Sequence, residues 1–149
     1  MTTRTEARDA LIGAFRTAWL ADGTTSPIPL HFADVRQDTS AQADAQTNPP
    51  PYMRVTAAHL VGESETQGPI GGRRFRNVLG FTGNLFTAPG DGGALADLVG
   101  EIAVKILRQL RDPAGVWNLG DAQAVEVGIG SNGLTQTNVT GTFAYEGRA

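Results

Sequence analysis

Apolar positions recur along this chain with two periods, and the switches between them divide it into elements. Leu11, Phe15, Ala18 and Trp19 recur at helical intervals behind Thr3 and Glu6, which have capping-box spacing, so a first helix is predicted that ends near Asp22 and Gly23. Past the Ser26-Pro27 break, Ile28, Leu30 and Phe32 alternate with Pro29, His31 and Ala33. This predicts a short edge strand, because a proline has no N–H to give to a ladder. Residues 52–61 read as a second strand and residues 74–87 as a longer third, with Phe75, Leu79, Phe81 and Leu85 sharing one face. These two are expected to pair antiparallel. The connection over 62–72 carries Gly68-Pro69 and Gly71-Gly72, which mark a flexible tip rather than a tight turn.

The longest apolar stripe comes next. Leu95, Leu98, Val99, Ile102, Ala103, Ile106, Leu107 and Leu110 predict a core helix of about five turns. Asp91 stands at its start, Glu101 and Lys105 form an i,i+4 pair, Arg108 and Arg111 suit the dipole of its last turn, and Pro113 ends it. Residues 123–129 and 139–145 read as two more strands joined around Ser131-Asn132-Gly133. The order helix, strand, hairpin, helix, hairpin predicts an α+β fold: a single mixed or antiparallel sheet packed on one face by two helices, with long loops. One interval interrupts the pattern. Residues 36–50 are polar, nearly without large apolar side chains and closed by prolines, so they are expected to form a mobile loop.

Composition narrows the function classes. At 149 residues the chain fits one domain, 1–149. Twelve basic against fifteen acidic residues, a net charge of −3, give no overall electrostatic footprint for nucleic acid or anionic lipid. The absence of cysteine excludes disulfides and thiol chemistry and fits a reducing cytoplasm. Residues 1–10 lack an apolar signal core and no apolar run approaches the roughly 20 residues of a membrane span, so an unexported chain with no membrane partner is expected.

Each candidate for chemistry has a plainer reading beside it. Gly128-Ile129-Gly130-Ser131-Asn132-Gly133 matches G-x-G-x-x-G after a strand, but β-branched and turn residues follow where a dinucleotide site needs a helix; a turn is favoured. Gly90-Asp91-Gly92-Gly93 precedes a helix, yet the Lys-Ser/Thr pair of a P-loop is missing and Asp91 repels phosphate. His31 and His59 could face each other on neighbouring strands as a metal half-site or general base, although no carboxylate stands at ligand spacing and structural roles are favoured. Around Ser64, Thr66 occupies the place of the second glycine of a nucleophile elbow. No catalytic residue, cofactor or metal ligand is therefore assigned. Arg73, Arg74 and Arg76 form the dense basic cluster, with Glu63 and Glu65 on the facing arm of the hairpin; these five are the candidate contact residues for a neighbouring subunit, against the plainer reading of a solvated strand end.

Three motifs in order carry a resemblance. Pro51-Tyr52-Met53-Arg54-Val55 opens a strand, Gly71-Gly72-Arg73-Arg74-Phe75-Arg76 opens another after a glycine-rich hairpin, and Phe86-Thr87-Ala88-Pro89-Gly90 leads into the long apolar helix. With the short N-terminal helix and the closing Thr142-Phe143-Ala144-Tyr145-Glu146 strand, the chain resembles the tail-terminator or minor tail proteins of siphophages and prophages over nearly its whole length. The polar insert over 36–48 departs from the shorter link of that pattern. The resemblance implies a non-enzymatic virion protein, assembled in the bacterial cytoplasm, that forms a ring of usually six copies. Such a ring caps the tail tube, ends its polymerisation and offers a surface to the head–tail connector. Its implied partners are itself, the major tail tube protein and that connector, with DNA only as the genome passing through the lumen. A neck connector subunit, or a small cytosolic ligand-binding or enzymatic domain using His31, His59 and the arginines, remains the alternative.

Overall fold

The structure, a computed structural model, describes residues 3–32, 50–60, 63–64, 74–90, 93–110, 115–130 and 133–148. Helix α1 spans Arg4–Ala21 and opens on the expected capping box: the Glu6 N–H donates to the Thr3 hydroxyl and the Thr3 N–H donates to the Glu6 carboxylate. Ala7, Leu11, Phe15 and Trp19, four residues apart, are all fully buried. Phe15 lies 4.6 Å from Phe81 between ring centres, and the Trp19 indole donates to the Ile28 carbonyl at 2.9 Å, which leaves no polar atom of that ring orphaned.

Strands β1 (Leu30–Phe32), β2 (Tyr52–His59), β3 (Glu63–Ser64), β4 (Arg74–Thr87), β5 (Trp117–Ile129) and β6 (Thr135–Arg148) build one mixed sheet in the order β1-β2-β4-β6-β5, with β3 pairing β4 beside β2. β1 runs parallel to β2 and every other pair is antiparallel, the expected β2–β4 pair included. β1 is an edge strand, as the prolines around it predict. Helix α2 (Ala94–Gln109) packs with α1 on the same face, so the fold is α+β with one sheet covered by two helices. Met53, Val55, Leu79, Phe81, Leu85, Val139 and Phe143 meet the two helices in the core.

Three expectations are corrected. Leu98 belongs to the predicted stripe, yet it is 47% exposed and Ile102 is half-buried. At 3.6 residues per turn Leu98 lies about 140° round the helix from Ala103. The buried arc instead centres on Val99, Ala103 and Leu107 with Ala96 and Gly100 on its flank. The last two strands also begin earlier than residues 123 and 139, at Trp117 and Thr135, and in β5 the turn-type residues Asn118, Gly120 and Asp121 form a bulge within the strand rather than ending it. His31 and His59 do not face each other: His31 pairs in register with Arg54 on the open face, whereas His59 pairs with Leu79 on the helix-covered face.

The residues expected to be a mobile loop lie outside the described ones up to residue 49. Glu65 and Arg73 of the candidate contact set lie outside them as well. No helix among the described residues is long and apolar enough to cross a membrane.

Candidate functional site

The outer edge of β5, which no other described strand pairs, is where the sheet departs most from a finished surface. An edge strand leaves a row of backbone N–H and C=O groups without a ladder partner, and proteins usually blunt such rows with charge, proline or brevity. β5 is thirteen residues long and carries Leu119, Val125, Val127 and Ile129 at 42, 50, 58 and 70% exposure. These are four of the seven large hydrophobic side chains exposed among the described residues, so the exposure is concentrated here.

Two bulges shape this edge. The first lies between Asn118 and Ala122, where the Gly120 N–H donates to the Asn118 side chain at 2.7 Å and Gly120 takes φ +91°, open to glycine at little cost. Asp121 locks it to β6 by accepting from both the N–H and the hydroxyl of Thr142. The second lies between Glu126 and Gly128, leaving residues 122–126 as the regular stretch. Beyond it, Gly130 and Gly133 close the hairpin, with the Gly130 N–H donating to the Leu134 carbonyl and the Gly133 N–H to the Gly130 carbonyl. The G-x-G-x-x-G motif thus lies between two antiparallel strands, and β6 rather than a helix follows it.

A groove of about 670 Å³ runs between α2 and β5. Its floor is made of small residues, Ala96, Gly100, Ala122 and Ala124, which let helix and strand approach closely. Asp97, Glu101 and Glu126 on its walls are partly balanced by Lys105 and Arg108, and the Arg108 guanidinium donates to the Ala122 carbonyl at 3.1 Å. The arrangement suits an extended backbone laid along β5 with side chains in the groove.

The hairpin candidates fall at the other end of the sheet. Glu63 stands opposite Arg76, and Arg76 stands opposite Glu146, so the register places this arginine between two acidic positions; Arg74 stands opposite Arg148. Glu63 and Arg76 are therefore brought together.

His59 performs a structural task. A backbone carbonyl only accepts, so the imidazole Nε2 donates to the Arg4 carbonyl at 3.2 Å, and Nδ1 then accepts from the Tyr145 hydroxyl at 3.3 Å. Burial lowers the His59 pKa, aided by Arg4 and then Arg8, which favours the neutral ring this arrangement requires. Burial likewise raises the Tyr145 pKa. His31 is also lowered, by burial and by Arg54, and packs edge-on to Tyr52 at 5.7 Å. Among the described residues, no group of three or more His, Asp or Glu side chains is placed to hold a metal ion.

The exposed β5 edge was not read from the sequence. Its signal was present: Val125, Val127 and Ile129 are large and apolar, yet they alternate with the small Ala122 and Ala124 positions that pack under α2.

No protein-family model matches the chain. No curated protein matches it either. Among solved structures, one protein whose name describes no activity superposes with a TM-score of 0.63 at 12% identity, covering 97% of this chain and 96% of its own. That similarity shows a shared fold over the full domain.

Proposed function

We propose that this chain is a structural protein of a phage or prophage tail, a tail-terminator-like subunit that assembles into a ring on the end of the tail tube. The observation that carries the reading is the β5 edge: a long strand paired with β6 on one side only among the described residues, with Val125, Val127 and Ile129 exposed along it and a groove floored by small residues on its helix-covered face. Such an edge is a template for pairing with another chain, and a ring removes it by pairing each copy with the next. The α+β sheet under two helices agrees with the fold implied by the motifs over residues 51–110. In this role the tail tube protein and the head–tail connector bind opposite faces of the ring, and Glu63, Glu65, Arg73, Arg74 and Arg76 on the hairpin side provide repeated contacts that add by multivalency. Any DNA contact is with the genome passing through the lumen, and the protein resides in the virion tail.

The test is loss and restoration of the chain in cells producing the particle. Its removal is expected to give tails of abnormal length that fail to join heads, and supplying it restores normal ones. Normal infectious particles without the chain would overturn the reading.

A further inference from the structure

A second groove, of about 480 Å³, opens at the opposite end of the sheet where α1 overhangs β1. Its walls include Trp19, Leu20, Ile28, Leu30 and Phe32, and Arg16 is the charged residue among those lining it. Leu20 there is 53% exposed. Among the described residues the two sheet edges are thus built alike, a helix over an edge strand with apolar surface exposed, but with different charge. The α2–β5 groove carries three carboxylates against two cations, whereas among the described residues the α1–β1 groove is lined by Arg16 and no acid.

We infer that the ring contact is heterologous: the β5 edge and α2 groove of one copy receive the β1 edge, with Arg16 and Leu20, of the next. This rests on the ring reading above. Three features choose this pairing over β5 against β5. A twofold contact would set Asp97, Glu101 and Glu126 against their own copies, while the β1 edge, with α1 over it, brings Arg16 to them. Strand directions also agree. β1 is parallel to β2, and three successive antiparallel pairings follow, so β5 runs opposite to β1. Rotation about an axis along the strands preserves those directions, and β5 then meets the neighbouring β1 antiparallel. Finally, the three residues of β1 fit within the regular stretch 122–126 between the bulges.

The register supplies a probe. His31, Arg54, Asn84, Asn138 and Val125 form one cross-strand row on the open face, so a sheet continued without stagger brings Val125 of one copy beside His31 of the next. The chain has no cysteine, so introduced thiols report alone. Under assembling conditions, Val125→Cys with His31→Cys and a short bis-maleimide is expected to give a denaturation-resistant ladder up to the full ring, while each single variant stays monomeric on the gel. A cross-linked dimer from Val125→Cys alone would overturn the inference in favour of twofold pairing. Absence of a ladder, with assembly intact by native mass, would place the contact elsewhere and leave the ring reading standing. A chain monomeric at all concentrations, alone and with tail tubes, would overturn both. Independently, Arg16→Glu is expected to raise the concentration for half-assembly about tenfold. Adding Glu101→Arg restores it; an unchanged midpoint in Arg16→Glu, with circular dichroism showing the fold intact, contradicts the charge pairing.

Discussion

Gly100 on α2 lies so close to Ala124 on β5 that a Cβ at position 100 would stand 3.3 Å from the alanine methyl. The groove beside the edge strand therefore depends on a missing side chain. Gly100→Val is expected to wedge the helix away from the strand and lower stability by about 1–3 kcal/mol, as overpacking does. Thermal unfolding measures this; a melting temperature equal to that of the parent chain would show that the strand yields freely.

The two leucines of α2 on opposite sides of the helix should respond differently. Leu107 is fully buried and Leu98 is 47% exposed. Leu107→Ala is expected to cost about 2–5 kcal/mol through lost burial and a residual cavity. Leu98→Ala should change stability by no more than about 0.5 kcal/mol. Denaturant midpoints compare them, and equal losses would contradict the helix orientation.

The first helix, the β2–β4 pair, the edge position of β1 and the layer order were legible because each follows from a local period with a cap or breaker beside it. Trp19, for example, is four residues from Phe15, and both are buried. The phase of α2 was less legible, since an eight-position stripe is wider than the face that fits under the helix, and only tertiary packing decides that Leu98 is left outside. The bulge in β5 was hidden for a related reason: Asn118, Gly120 and Asp121 have turn chemistry, and their hydrogen bonds to each other and to Thr142 keep the strand going instead. The candidate site was missed at its edge because alternation reports which residues share a face, not whether a neighbouring element covers it.

Arg76 stands in register between Glu63 and Glu146, so its removal is expected to reach the fold. Opposite charges directly across a ladder contribute about 0.2–1 kcal/mol each. Arg76→Ser should lower the melting temperature by a few degrees, and the effect should shrink in high salt. No change in either condition would make the pairing energetically neutral.

Both histidines have lowered pKa values in the folded chain, so the unfolded chain binds more protons once the pH falls below the ordinary histidine range. Stability is then full above about 6.5, the unfolded value, and falls as the pH drops from there toward the folded values. Protonating His59 also removes the acceptor at Nδ1 that holds the Tyr145 hydroxyl. His59→Gln is expected to flatten part of this acid-side loss. Unfolding midpoints measured between pH 7 and pH 5 check the sign, and a stability that rises toward pH 5 would contradict it.

Ring assembly is the central claim, and native mass spectrometry of the purified chain, with and without tail tubes, tests it most directly. A closed homo-oligomer, six copies on the present account, is expected, with Val125→Glu on the β5 edge shifting it to monomer while the fold persists. A ring indifferent to the charge placed at Val125 would move the contact away from the β5 edge, and a wild-type chain that stays monomeric under both conditions would contradict the account.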